Sequence, residues 1–145
     1  MTELRVGDRV ILFDQELTRR TYSAIERGGA DICTCSYCRN YAAQRMVAYP
    51  EAFLGLLEQL GIDPTKEDEV YETHFENGLT HYGGWFFLSG KLRIVGEHLW
   101  KDTQSHFQFH FTDAKQRPSP PKDFGDHVIA IDFLTKIPWI IEGEP

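Results

Sequence analysis

Sulfur is scarce in this chain of 145 residues: three cysteines and two methionines. Three thiols cannot all pair within one chain, which excludes a fold stapled by a disulfide framework. Long apolar runs are missing as well. Val10 to Phe13 and Trp85 to Leu88 are typical of what is present, far short of the ~20 residues that cross a bilayer. Positive charge is sparse, with 15 Lys and Arg against 22 Asp and Glu and a net charge of −7. Arg19-Arg20 is too short a patch to attract a phosphate backbone, so neither nucleic acid nor membrane is an expected partner. The amino-terminal Met-Thr-Glu-Leu-Arg-Val-Gly-Asp lacks the apolar core of a secretory leader, and the expected compartment is the cytoplasm. Gly-x4-Gly-Lys-Ser/Thr, Gly-x-Ser-x-Gly and His-Glu-x2-His are all absent, which leaves no motif for nucleotide, acyl-transfer or zinc-protease chemistry.

What the chain does have is concentration. All three cysteines fall in Cys33-Thr34-Cys35-Ser36-Tyr37-Cys38, followed by Arg39-Asn40. Packing alone would rarely gather thiols so closely. Three thiolates on one short loop suit a soft-ligand ion such as zinc, which takes four ligands with sulfur at about 2.3 Å. The fourth would be His74, His81, His98, His106, His110 or His127, brought in by the fold, or a water. Cys35 and Cys38 also form a Cys-x2-Cys at an expected helix start, where the helix dipole favours a thiolate. That opens an alternative, a redox or nucleophilic enzyme using Cys35 or Cys38. The plainest account makes all three small buried side chains, with Cys35, Cys38 and Ala42 on one helical face.

Cys33-x-Cys35-x2-Cys38-Arg39 resembles one zinc box of the glutathione-dependent formaldehyde-activating, Mss4-like proteins, over seven residues. The resemblance implies zinc on these three sulfurs. The second cysteine pair of that family has no counterpart here. The run from Cys33 to Tyr41, Leu60-Gly-Ile-Asp63 and Tyr82-Gly-Gly-Trp-Phe86 are similar to small bacterial proteins with a CxCxxCRN box, a likeness that implies no activity.

The remaining pattern predicts one α+β domain over residues 1–145, with helices mainly in the first half packed on a mostly antiparallel sheet built largely by the second. Loose alternation from Leu4 to Phe13 reads as a strand. Residues 17 to 26 fit both periods and are assigned to a strand. A helix runs from Ser36 until Pro50 interrupts it. Another begins with Pro50 at its first position, carries the stripe Phe53, Leu54, Leu57 and Leu60, and stops at Gly61. Asp63-Pro64 opens a short acidic helical turn ending near Glu69, and the acidic residues from Glu67 onward read as solvated.

Beyond residue 70, Val70 to Phe75 pairs through Asn77-Gly78 with the segment on the far side of that turn, and Trp85 to Leu88 pairs through Ser89-Gly90 with Lys91 to Val95. Gly83-Gly84 reads as a bulge or as close packing beside Trp85. His106 to Phe111 alternates, which places Phe107, Phe109 and Phe111 inside and His106, Gln108 and His110 outside or toward a pocket. In the latter case that pocket is where to look for a ligand. His106 and His110 are about 13 Å apart along the strand, too far for one ion. Residues 113 to 126, rich in proline, form a long loop before a last strand from Val128 to Leu134.

Overall fold

The computed structural model describes residues 1–7, 9–94, 100–102, 106–114 and 122–143, and of 94, 100–102 and 122 the backbone alone. His98, Val95 and residues 115–121 of the expected loop lie outside this set. The architecture is α+β. Helices α1 (Gln15–Ser23), α2 (Gly29–Ile32), α3 (Ser36–Ala48) and α4 (Glu51–Leu60) precede most of the sheet. The strands are β1 (Thr2–Val6), β2 (Arg9–Phe13), β3 (Glu69–Glu76), β4 (Leu79–Ile94), β5 (Trp100–Asp102), β6 (Phe107–Asp113) and β7 (Val128–Pro138). They pair in the order β1-β2-β4-β7-β6-β5 with β3 also on β4, and every pairing is antiparallel.

Three expectations are corrected by tertiary partners that the sequence does not display. Leu4 to Phe13 is not one strand but the β1–β2 hairpin, turned at Gly7, whose φ of 62° a glycine adopts freely. Residues 17 to 26 are mostly helix. Asp14 caps α1 by accepting from the Leu17 N–H at 3.0 Å, and the polar positions that imitated strand alternation are buried on specific acceptors and donors. Thr18 Oγ1 accepts from the Ser89 N–H at 3.0 Å, and Tyr22 Oη donates to the Phe87 carbonyl at 2.6 Å. Finally, Ser89-Gly90 is no turn. β4 runs straight through it for 16 residues, since Gly90 is a point of close approach where a Cβ would meet the Leu12 carbonyl of β2.

Other readings hold. α3 and α4 appear where their periodicity puts them, although Pro50 caps α4 instead of opening it, and Gly61 ends it in the left-handed region at φ 84°. Phe107, Phe109 and Phe111 are buried and alternate with Gln108, His110 and Thr112. Gly83 packs under the Tyr71 ring and Gly84 under Phe133.

The core sits between α3–α4 and one sheet face. Tyr41 stacks on Phe133 at 6.1 Å, and Phe53 meets Phe107 at 4.7 Å and Phe109 at 5.0 Å. Adjacent strand residues point to opposite faces, yet Phe86 and Phe87 are both buried. The second face is therefore covered there too, by Tyr22 of α1 and Phe124 in the turn Lys122–Phe124, whose rings lie 5.4 Å apart. Toward the start of β4 that cover ends. Tyr71 and Leu134 are 42% and 43% exposed, and this half-open end of the sheet holds His74, His81 and His106.

Candidate metal centre

The cysteine loop is held from below by residues whose sequence pattern suggests solvation or nothing at all. Gly28-Gly29 lies directly on residues 65–68: a Cβ on Gly28 would sit 2.5 Å from the Thr65 carbonyl, and one on Gly29 2.6 Å from that of Asp68. The Gly29 N–H donates to the Glu67 carbonyl at 2.7 Å, and the Ala30 N–H to Glu67 Oε1 at 2.9 Å. Glu67 is thus no part of a solvated acidic turn, and residues 63–68 form no helix. Its carboxylate also takes a 2.8 Å contact from Arg45 Nη2, whose Nη1 reaches Asp31 Oδ2 at 3.2 Å. Burial raises the Glu67 carboxyl above its ordinary range, and the Arg45 charge works against that rise. One buried ion pair therefore ties α3, α2 and the chain ahead of β3 together.

Single-turn α2 then delivers Cys33, whose N–H returns to the Gly29 carbonyl at 3.1 Å. Cys35 is the N-cap of α3, with extended backbone at φ −70° and ψ 161°, and its Sγ accepts from the Cys38 N–H at 3.4 Å. The cap turns Cys35 back over the first helical turn, so that the Cys33 and Cys35 sulfurs are 3.3 Å apart and all three sulfurs lie within 4.8 Å of one another. Sulfurs on one tetrahedral zinc stand about 3.8 Å apart, given bonds of about 2.3 Å. The loop is within a small adjustment of that spacing.

The three thiols differ in setting. Cys33 and Cys35 are exposed and Cys38 is buried, so the account of three buried small side chains holds only for Cys38. A hydrogen bond from the Cys35 backbone, followed by those of the Cys38 and Cys35 thiols, holds Cys33 below the usual thiol range. Burial, followed by hydrogen bonding with Cys33 and Cys35, pushes the Cys38 thiol well up. Asn40, two residues on, anchors this end of α3 to the sheet. Its Nδ2 donates to Tyr82 Oη and to the Pro138 carbonyl, each at 3.2 Å, and its Oδ1 accepts from the Ile140 N–H at 2.9 Å.

No histidine joins the sulfurs among the described residues. His74 and His81 face each other across β3 and β4, with ring centroids 3.8 Å apart. His106 lies beside them, His110 Nε2 is 3.4 Å from Asp132 Oδ2, and His127 is exposed. Sequence reasoning missed Glu67, Arg45 and Asn40. A Glu and an Arg at ordinary surface spacings give no signal of burial, while Asn40 was legible only as a neighbour of the box.

Comparison with family models, with curated proteins and with solved structures returns no match. The chemistry of the loop rests on its own geometry. No described helix is long and apolar enough to cross a membrane.

Proposed function

We propose that this protein is a small non-enzymatic binding domain in which Cys33, Cys35 and Cys38 hold one zinc ion, with the fourth position taken by water or by a group from a partner. The observation that carries this reading is the convergence of three sulfurs within 4.8 Å on a capped loop braced by a buried ion pair. Three thiolates so close would repel one another, and a divalent cation that displaces the thiol protons removes that repulsion. The exposure of Cys33 and Cys35 leaves room for the fourth ligand to come from outside. The ion would pin α2 to the first turn of α3.

A second reading draws on the 3.3 Å between Cys33 and Cys35 and on the lowered Cys33 thiol. In thiol–disulfide exchange the Cys33 thiolate attacks an external disulfide, and Cys35 then displaces the mixed disulfide, leaving a Cys33–Cys35 bond and two reduced external thiols. The nucleophile would be Cys33, since burial keeps Cys38 protonated.

Native mass spectrometry of protein expressed with zinc, with and without chelator, separates the two when paired with a thiol titration. One zinc, lost on chelation together with thermal stability, supports the metal site. A single unusually reactive thiol without metal supports exchange chemistry. Three unreactive thiols and no metal overturn both.

A further inference from the structure

The polar face of β6 does open onto a hollow. His106 and Gln108 line it, with Thr73, His74, His81 and Lys136 opposite and beside them, around a volume of about 520 Å³. At its rim, one ligand atom each from His74, Glu76 and His81 lies within 4.8 Å of the others. We propose that His74, Glu76 and His81 form a second metal site, for a divalent first-row transition ion, whose remaining coordination positions are open toward this hollow.

The local backbone is arranged to bring these three together. Asn77 and Gly78 have φ of 53° and 79°, the two positive values of a type I′ hairpin turn. That turn pairs Glu76 with Leu79, Phe75 with Thr80 and His74 with His81. Farther along, Glu72 pairs with Tyr82, which leaves Thr73 as the extra residue of a β-bulge. Continued without the bulge from Glu72, the ladder would set His74 against Thr80, on the face where Thr80 is fully buried. The bulge instead turns His74 to the open face, where alternation also places Glu76 and His81.

The side chains then meet the needs of a ligand set. His74 Nε2 is 3.5 Å from Glu76 Oε2, and both residues are exposed enough to draw in toward metal–ligand bonds of about 2.0–2.2 Å. Thr73 Oγ1 sits 3.2 Å from His74 Nδ1 and donates to the His81 carbonyl at 3.3 Å. With its proton on that carbonyl, the hydroxyl accepts from Nδ1–H and leaves the unprotonated Nε2 to ligate the ion, which is how outer partners orient a ligating histidine. Imidazole is largely unprotonated at neutral pH and suits zinc, nickel, copper and iron, while two imidazoles and one carboxylate leave coordination positions free. Lys136, paired with His81 across the strands, repels a cation, and the Glu76 carboxylate offsets that repulsion.

The test is a zinc titration of the full chain read by native mass spectrometry and by the imidazole ¹⁵N resonances. The expected result is two zinc equivalents, with the second shifting the ring nitrogens of His74 and His81 and not those of His110. His74→Ala and His81→Ala should each keep the cysteine-bound equivalent and weaken the second by more than the about 10–100-fold that loss of an outer partner causes. Glu76→Gln, at an exposed turn position, should weaken it without touching the fold. A second equivalent that survives both histidine variants overturns the proposal, as does a wild-type chain that takes none beyond the cysteines at large zinc excess. The Cys33→Ser variant reads the other site: if it changes nothing while His81→Ala removes the sole equivalent, the cysteine reading fails and this one stands.

Discussion

The cysteine loop and the histidine pair are assembled by opposite routes. Cys33, Cys35 and Cys38 are neighbours in the chain, and an N-cap and one helical turn suffice to bring their sulfurs together. His74 and His81 are seven positions apart, and only a two-residue turn and a bulge put them on one face. A site made by local spacing needs the fold mainly as a brace, here the Arg45–Glu67 pair under α2. One made by strand register needs the pairing itself, because a slip of one residue turns a side chain to the other face. The two regions should therefore fail under different perturbations.

The largest effect is expected at the brace. Glu67→Ala leaves Arg45 buried with only the half-exposed Asp31 beside it, and removing one partner of a buried ion pair costs about 3–5 kcal/mol. Denaturant melts should show that loss, and zinc affinity at the cysteines should fall while the histidine pair keeps its own. Equal losses at both places would mean that the brace serves the whole fold and not the loop. Leu57→Ala supplies the common baseline. Its side chain is fully buried in α4, so truncation should cost about 2–5 kcal/mol and weaken both regions through global stability. A loss below about 0.5 kcal/mol would show that this helix face is not core.

At the turn, Gly78→Ala meets no neighbouring atom within 4 Å, so its effect is purely conformational. Holding alanine at φ 79° should cost about 1–2 kcal/mol, read in melts, with the histidine pair losing metal affinity and the cysteines unaffected. Acidity should sharpen the contrast. The raised Cys38 thiol is protonated at neutral pH when free of metal, so zinc must displace that proton. Affinity at the cysteines should then fall about tenfold per pH unit, for each proton displaced, as pH is lowered. Isothermal titration at several pH values in buffers of different ionisation heat measures the release, and a pH-independent affinity would exclude thiolate ligation.

The smallest change in stability should come from Cys35→Ser. Serine is a favoured N-cap, so the metal-free fold should stay within about 0.5 kcal/mol of wild type while the cysteine-bound zinc equivalent is lost. A variant that keeps its cysteine-bound zinc would remove Cys35 from the ligand set.

Periodicity was enough to identify α3, α4 and the inward phenylalanines of β6, because a helix stripe and a strand alternation are written over a few consecutive residues. The Asn77-Gly78 turn was legible for the same reason. α1 was misread since Thr18, Thr21 and Tyr22 are buried through hydrogen bonds to β4 and to the turn at Phe124, and a polar residue with a distant partner is indistinguishable in sequence from one in water. Glu67 was misread likewise. The β4 strand was cut at Ser89-Gly90 because the turn signal there serves close backbone approach to β2.

Local pattern is enough for the gathering of the three thiols, the α+β order and the side of β6 that faces inward, all properties of residues within a turn or a strand of one another. Contacts between distant segments make Cys33 and Cys35 open while Cys38 is covered, bring Arg45 and Glu67 together beneath them, and set His74 against His81. Burial, ion pairing and strand register depend on which distant segment comes to lie alongside, and this is settled by the free energy of the assembled core and not by any local pattern.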